Sequence, residues 1–215
     1  MAEFAVIGIG RFGRAVALNL VAQGQGVFAV DRDPTRLARV AAEVAATAVA
    51  DTTDPDTVAA LGLERIACTV VAIGSRATEA SLLTTAILAQ RAVPRVIVRA
   101  FDERHARLLL AVGAHEVLNP EQEIGRRLAL RLAHPGIRDR IGGGRTTVAE
   151  VEAPEAWAGR ALGSLDLRRR RVTVLALLRA GGAETDLGPE SEIASGDRLV
   201  LLGPDESLHE IAALL

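Results

Sequence analysis

The 215-residue sequence contains no lysine and no tyrosine, and its only cysteine is Cys68. These absences exclude a P-loop lysine, a lysine Schiff base and a tyrosine–lysine proton relay. A single cysteine excludes an internal disulfide framework and is typical of a reducing cytosol. We see no secretion signal, and no apolar run approaches the roughly 20 residues that span a bilayer. We therefore expect a cytoplasmic protein.

The charge balance disfavours nucleic acid as a partner. The formal net charge is −2, and acidic and basic residues are interspersed, whereas nucleic-acid binders usually carry a basic excess. Hydrophobic residues make up 49% of the chain, which is enough for a sizeable core. The length fits one large domain or two small ones.

Near the N-terminus, a glycine-rich segment predicts a phosphate-binding turn. An apolar strand over 4–9 runs into Gly8-Ile9-Gly10-Arg11-Phe12-Gly13, and a helix is expected over 12–23. Gly8 permits the tight turn, Gly10 lets the backbone approach a phosphate, and Gly13 lets helix and strand pack closely. Free amides and the helix dipole attract the phosphate.

An acidic residue follows at the spacing that dinucleotide sites use. The strand predicted over 27–31 ends in Asp31, whose carboxylate can accept hydrogen bonds from both ribose hydroxyls. It would repel a 2′-phosphate, although the neighbouring Arg32 weakens that exclusion. Strand, helix and acid together favour a nucleotide site over a turn without a ligand.

Alternation of strands and helices continues to residue 118 and predicts a doubly wound, parallel, Rossmann-like α/β sheet. Ligands of such sheets lie at the carboxyl ends of the strands. The strands are expected over 46–50, 69–73, 95–99 and 116–118, and the helices over 34–45, 55–61, 78–91 and 103–112. The residues expected to face the site are Gly10, Asp31, Asp51, Gly74 and Arg99.

The C-terminal part has a different pattern. A helix beginning at Asn119 carries Ile124, Leu128 and Leu132 on one face, and it either crosses to a second copy or packs on its own domain. It closes an N-terminal domain over 1–134, and glycines then predict a flexible linker over 135–144. Residues 145–215 predict a small α+β domain, with strands over 146–151, 172–178 and 198–202 and helices over 154–165 and 205–214.

Evidence for an enzyme is weak. The four histidines, His105, His115, His134 and His209, do not pair at metal-ligand spacing or form a recognisable catalytic motif. The C-terminal domain is too small for a usual substrate domain. Chemistry by carboxylates alone remains open.

Several short motifs, taken in their order, resemble one family. The motifs are GIGRFG at 8–13, AVD at 29–31, ADTT at 50–53, VAIG at 71–74, SLLTT at 81–85, GA at 113–114, NPEQEIG at 119–125 and SGDRLVLLGP at 195–204. In this order they are similar to those of the RCK (KTN) regulatory subunits of Ktr/Trk-type potassium transport systems, and the resemblance covers nearly all of the chain.

This resemblance implies a regulatory subunit and not an enzyme. Such subunits form homodimers that assemble into rings, usually homo-octameric, beneath a membrane potassium-translocating subunit at the inner face of the plasma membrane. Their N-terminal domain binds ATP, ADP or NAD(H), and the identity of the ligand changes the shape of the ring and gates potassium flux. In some relatives the C-terminal domain binds cyclic di-AMP.

The resemblance also implies roles for individual residues. Arg11 would reach the terminal phosphate of a nucleotide across the dimer interface, and Glu121 would hold Mg²⁺, Ca²⁺ or Na⁺ near the γ-phosphates. Glu121 fits equally well as an acid in the first turn of a helix. The expected nucleotide-binding residues are Gly8, Gly10, Arg11, Phe12, Gly13, Asp31, Arg32, Asp33, Asp51, Thr52, Ile73, Gly74, Ser75 and Arg99.

Within that set, Asp31 and Asp33 would hold the ribose, and Asp51 and Thr52 would face the adenine. Arg99 stands where the family often carries a lysine, which keeps the charge but changes the geometry. Two other functions remain open: a free-standing NAD(H)-binding redox sensor and a small NAD-dependent oxidoreductase. Tighter binding of ATP than of NADH would favour the potassium-transport regulatory subunit over the redox sensor. Hydride turnover would indicate the oxidoreductase.

Overall fold

A computed structural model describes residues 2–74, 77–133, 137–143 and 146–213. The chain divides into two compact units, residues 1–122 and 123–215. In the described part of the chain, no helix is both long and apolar enough to cross a bilayer.

Within its described residues, the first unit contains a six-stranded parallel sheet in the order β3-β2-β1-β4-β5-β6. This order confirms the predicted doubly wound fold. The strands are β1 (Phe4–Ile7), β2 (Val27–Asp31), β3 (Ala46–Val49), β4 (Cys68–Val71), β5 (Val96–Arg99) and β6 (Glu116–Leu118). The helices are α1 (Arg11–Ala22), α2 (Pro34–Leu37), α3 (Pro55–Leu61), α4 (Thr78–Gln90) and α5 (Glu103–Ala111), with a 3₁₀ turn over Leu63–Arg65.

Alternation along the strands places apolar residues on both faces of this sheet. Ala5 and Ile7 belong to one buried cluster, whereas Val6 between them belongs to another. Helices cover both faces, which is why the central strands β1, β2 and β4 are mostly apolar and show no regular polar alternation. The sheet is therefore buried on both faces, and its carboxyl edge presents the loops that follow β1 to β5.

One predicted helix of the first unit is mostly wrong. The helix expected over 34–45 is limited to α2, and turns follow it. After Leu37 the backbone hydrogen bonds are mixed: Val40 N bonds three residues back to Leu37 O at 3.0 Å, and Val44 N bonds four residues back to Val40 O at 3.1 Å. Ala45 N bonds to Val27 O of β2 at 3.0 Å, so the chain has left the helical path to enter β3, and the local periodicity does not contain this tertiary contact.

The second unit contains, among its described residues, a five-stranded antiparallel sheet in the order β10-β9-β11-β8-β7. Its core includes Trp157, Leu177, Leu199 and Leu208. The strands are β7 (Ile137–Gly143), β8 (Thr146–Glu152), β9 (Thr173–Arg179), β10 (Gly182–Glu184) and β11 (Arg198–Gly203), and the helices are α6 (Pro120–Ala133), which begins in the first unit, and α7 (Asp205–Ala212).

Two predictions in this unit need correction. The glycine-rich linker expected over 135–144 contains β7, whose backbone pairs with β8; residues 135, 136 and 144 lie outside the described residues. The helix expected over 154–165 is two short 3₁₀ turns, Glu155–Trp157 and Leu162–Leu165. Between them Gly159 has φ +74°, and its amide bonds to Ile193 O at 2.8 Å, so tertiary partners replace helical ones.

Candidate functional site: a cleft at the carboxyl edge of the parallel sheet

A cleft of about 1080 Å³ opens in the first unit, beside the carboxyl ends of β1 to β5. This is where open α/β sheets bind their ligands. Its lining carries four guanidinium and four carboxylate groups. The lining residues are Ile7, Gly8, Gly10, Arg11, Phe12, Asp31, Arg32, Arg36, Ala50, Asp51, Thr52, Thr53, Ala72, Ile73, Gly74, Ala77, Glu79, Ala80, Leu83, Arg99 and Glu121.

The glycine turn is shaped by close backbone packing. Gly8 has φ +91°, and a Cβ there would lie 3.0 Å from the Ala72 carbonyl. A Cβ on Gly13 would lie 1.9 Å from Gly8 O, so this glycine lets α1 pack on the turn. A Cβ on Gly10 would meet nothing within 4 Å, because this residue faces open space. Gly8 and Gly10 line the cleft, whereas Gly13 supports it from behind.

The N-terminus of α1 is open to an anionic ligand. Gly10 is its N-cap and supplies no side-chain hydrogen bond, and the first turn contains no acidic residue. The first-turn amides and the positive end of the helix dipole are thus not neutralised by a local carboxylate. Arg11, the first residue of α1, also lines the cleft and adds a full positive charge.

Asp31 is 3% exposed and holds the turn in place. Its Oδ2 accepts a hydrogen bond from Ile9 N at 2.6 Å, and its Oδ1 accepts one from Asp33 N at 2.9 Å. Arg36 Nη1 lies 3.5 Å from Oδ2. Each carboxylate oxygen has a second lone pair, so Asp31 can bind a hydroxyl while keeping these internal bonds.

Asp33, predicted to hold the ribose together with Asp31, does not line the cleft. It is the N-cap of α2, accepting hydrogen bonds from the Thr35 amide at 2.9 Å and the Thr35 hydroxyl at 2.7 Å. These bonds lower the pKa of Asp33 and stabilise its charged form. Its position assigns Asp33 to the helix start.

The loop after β3 contributes a charged wall and a buried hydroxyl. Asp51 accepts hydrogen bonds from the hydroxyl and amide of Thr53, at 2.7 and 3.0 Å, which lower its pKa. Thr52 is buried, and its Oγ1 lies 2.9 Å from Thr84 Oγ1 of α4. The hydroxyl pair connects the cleft wall to the buried face of that helix.

Arg99 and Glu121 form an ion pair at the opposite wall. Arg99 ends β5, and its Nη2 donates a hydrogen bond to Oε1 of Glu121 in the first turn of α6. The Arg99 guanidinium carbon also lies 5.5 Å from the centre of the Phe12 ring, a cation–π contact. The guanidinium therefore joins the glycine turn, the sheet and α6.

Glu121 alone does not build a cation site. It is one carboxylate already paired with a guanidinium, and among the described residues no three His, Cys, Asp or Glu side chains gather to hold a metal ion. A hard cation prefers six or more oxygen ligands. One at Glu121 would need oxygens from a ligand phosphate or from a second copy.

Most of the predicted site residues meet in this cleft, namely Gly8, Gly10, Arg11, Phe12, Asp31, Arg32, Asp51, Thr52, Ile73, Gly74, Arg99 and Glu121. Ser75 lies outside the described residues. Sequence reasoning missed Arg36 and Glu79 in the lining. The three-residue spacing from Asp33 to Arg36, which brings their side chains to 3.5 Å on α2, is the signal that could have found the first.

Comparison with known proteins identifies the family. Residues 4–120 match the TrkA-N domain and residues 147–215 match the TrkA-C domain. The chain belongs to the TrkA family. It is 33% identical over 211 residues to Ktr system potassium uptake protein A of Vibrio alginolyticus, covering 96% of this chain and 94% of that protein.

Further relatives agree with this assignment. Ktr system potassium uptake protein C of Bacillus subtilis is 31% identical over 205 residues, which cover 94% of this chain and 91% of that protein. Among solved structures, the GsuK channel shares the fold with a TM-score of 0.70 at 18% identity over 96% of this chain. The chain spans 38% of the length of that channel polypeptide.

Proposed function

We propose that this TrkA-family chain is a nucleotide-sensing, non-catalytic subunit that regulates a membrane potassium transporter. The proposal is supported by relatives named as potassium uptake proteins, which match over more than nine-tenths of the chain. It works from the cytoplasmic side through a membrane partner. The ligand is a nucleotide, and its phosphates carry the regulatory signal.

The observation that carries the proposal is the position of Arg11. It begins α1 inside the glycine turn and lines the cleft beside unneutralised first-turn amides. Diphosphate groups bind at such a turn. A guanidinium there adds a charge-assisted, bidentate contact that a third phosphate strengthens. ATP and ADP then stabilise different conformations by different amounts, which is what a population switch requires.

The nucleoside half has its own partners in the cleft. Asp31 lines the cleft and would accept ribose hydroxyls on the second lone pairs of its carboxylate oxygens, and Thr52 and Ile73 lie in the lining where a base would pack. These features serve adenosine in ATP, ADP or NAD(H) equally well. The discrimination therefore falls to the phosphate end, where Arg11 lies.

Titration calorimetry of the purified chain with ATP, ADP and NADH tests the proposal, with and without Mg²⁺. We expect ATP to bind more tightly than ADP. In Arg11→Ala the ratio of the two affinities should fall by about tenfold, the loss typical of one charge-assisted hydrogen bond. Arg14→Ala is the matched control, because Arg14 is exposed on the same helix and does not line the cleft.

Other outcomes would point elsewhere. Tight NADH binding with no response to ATP would favour a redox sensor and overturn the phosphate switch. Hydride turnover with any substrate would indicate an oxidoreductase and contradict both regulatory hypotheses. An Arg11→Ala variant with an unchanged ATP to ADP ratio would remove Arg11 from the mechanism.

Assembly is the second part of the proposal. On α6 the apolar side chains of Ile124, Leu128 and Leu132 recur every four residues and are at least half exposed in the single chain. A helix face of this kind is expected to be covered by another copy. We propose a homodimer that assembles into a homo-octameric ring.

Native mass spectrometry tests the assembly directly. The expected species has the mass of eight 22.6 kDa chains, and a dimer should persist when the ring is diluted. Leu128→Glu should disrupt the dimer. Potassium flux into proteoliposomes that hold a candidate membrane subunit, measured with and without this chain and each nucleotide, tests the regulation itself. A monomer at micromolar concentration would refute the ring.

A further inference from the structure

We propose that Glu121 and a ligand phosphate compete for the Arg99 guanidinium, so that phosphate binding releases the first turn of α6. Arg99 would act as a cation with two positions, one on Glu121 and one on the ligand. The inference rests on the proposed nucleotide-binding function. It adds a specific contact that connects cleft occupancy to the start of α6.

The backbone places Arg99 where it can serve both partners. It is the last residue of β5, so its side chain emerges at the carboxyl edge of the sheet and lines the cleft. The side chain is 17% exposed and lies between the Phe12 ring and the Glu121 carboxylate. Phe12 directly follows Arg11 in the glycine turn, so the guanidinium is adjacent to the phosphate-binding segment.

Arg99 also has an unused donor. Its Nε is buried and finds no hydrogen-bond partner among the described residues. A guanidinium carries five N–H donors in a planar fork, and a buried donor without an acceptor is unfavourable. A phosphate oxygen would satisfy it and could bind two donors at once.

Glu121 gives up its partner at little cost. Its side chain is 62% exposed, and an ion pair with an exposed carboxylate is weak. Water and the N-terminal end of the α6 dipole still stabilise the free carboxylate. A phosphate carries more charge and offers bidentate geometry, so it should win the guanidinium.

The consequence falls on α6. Arg99 bonds Glu121 across 22 residues of sequence, whereas the hydrogen bond that Asn119 Oδ1 accepts from Gln122 N at 3.1 Å is local. When Arg99 leaves, the first turn loses this tie to the sheet. The boundary between the two compact units falls within this helix, after residue 122.

A second ion pair, at the start of the same strand, is the matched control. Arg95 directly precedes β5, and its Nη2 lies 2.7 Å from Oε2 of Glu116, the first residue of β6. Neither residue lines the cleft. Both side chains are exposed. The variants Arg95→Gln and Glu116→Gln show how the loss of an ordinary surface ion pair of this sheet affects ATP affinity.

The test is a double-mutant cycle on ATP affinity, measured by calorimetry in EDTA with tetramethylammonium chloride, so that no hard cation occupies Glu121. Removing the competitor in Glu121→Gln should strengthen ATP binding about twofold to fivefold, the range of an exposed ion pair. Arg99→Gln should weaken it about tenfold or more. In the Arg99→Gln background, Glu121→Gln should have no effect, and Arg95→Gln and Glu116→Gln should leave affinity unchanged.

Hydrogen exchange supplies an independent readout. ATP should speed amide exchange at the start of α6 in the natural chain but not in Arg99→Gln. Weaker or unchanged ATP binding in Glu121→Gln, or a Glu121→Gln effect that persists without Arg99, would overturn the competition. Failure of the natural chain to bind ATP, ADP or NADH would instead refute the proposed function, so the two failures are distinguishable.

Discussion

The buried Asp31 carboxylate accepts the amide proton of Ile9 at 2.6 Å, which bonds the end of β2 to the glycine turn after β1. The residue expected to hold a ligand's ribose thus also determines the shape of the turn that would hold its phosphates. A substitution at Asp31 should therefore disturb the glycine turn and weaken nucleotide binding together.

Asp31→Asn should destabilise the first unit and abolish nucleotide binding. The amide offers one acceptor where two backbone N–H donors, of Ile9 and Asp33, now each have a carboxylate oxygen. Leaving one buried donor unsatisfied costs about 1–3 kcal/mol in the free energy of unfolding. Urea denaturation measures this. Asp33→Asn is the control, since Asn caps a helix as well as Asp does, and equal losses in both variants would contradict the role of Asp31.

Two glycines of the turn should separate folding from binding. Gly13→Ala should lower the free energy of unfolding by about 2 kcal/mol or more, because its Cβ would lie 1.9 Å from Gly8 O. Gly10→Ala should fold normally, since a Cβ there meets nothing within 4 Å, but should weaken nucleotide binding by occupying cleft space. Thermal denaturation and calorimetry on both variants check this; an unstable Gly10→Ala would disprove the distinction.

The Thr52–Thr84 hydroxyl pair should behave as a coupled unit. Thr52→Val leaves the Thr84 hydroxyl buried and unpaired at 0% exposure, which costs about 1–3 kcal/mol. Thr84→Val in turn leaves the Thr52 hydroxyl buried and unpaired, at a similar cost. The double variant removes both polar groups while keeping their shape, so it should be more stable than the sum of the single losses predicts. Additive losses in urea denaturation would show that the pair does not interact.

His105 should make stability depend on pH. It is buried in stacking contact with Phe101 at 4.3 Å, and neither ring nitrogen has a hydrogen-bond partner among the described residues. Burial lowers the pKa of His105 from 6.5, and the charge of Asp102 opposes this only in part. The unfolded chain therefore binds the proton more readily, and stability is lost as pH falls below 6.5.

Denaturation curves between about pH 7.5 and pH 5 test this prediction. The natural chain should lose more stability over that range than His105→Leu, which cannot titrate. His115→Leu does not serve as a control, because the His115 ring accepts a hydrogen bond from the Val96 amide at 3.1 Å and the substitution would remove it. Parallel curves for the natural chain and His105→Leu would exclude His105 as the source of the pH dependence.

Local signals predicted most of the first unit. Apolar runs located β1, β2 and β4, and the helix starts predicted at residues 34 and 55 are those of α2 and α3, where Asp33 and Asp54 cap the first turn. They did not predict how far α2 extends, because the chain leaves the helix to enter β3, where Ala45 N bonds to Val27 O of β2, and this contact is tertiary. Nor did they predict β7, because a glycine-rich segment becomes a strand only when β8 offers a partner.

The same division holds in the cleft. Motif spacing located Gly8, Gly10 and Asp31, but not the presence of Arg36 in the lining. The Arg99–Glu121 pair joins residues that are 22 positions apart, and no local pattern specifies which carboxylate meets which guanidinium.

By itself, the sequence determined the parallel sheet, the glycine turn and the family, because each depends on residue types at short, regular spacing. Only the tertiary structure decided which groups meet: the Asp31 carboxylate with the Ile9 amide, Thr52 with Thr84, and the Arg99 guanidinium with the Phe12 ring and Glu121. Hydrogen bonds and ion pairs act over a few ångströms of space, and chain folding, not sequence separation, sets those distances.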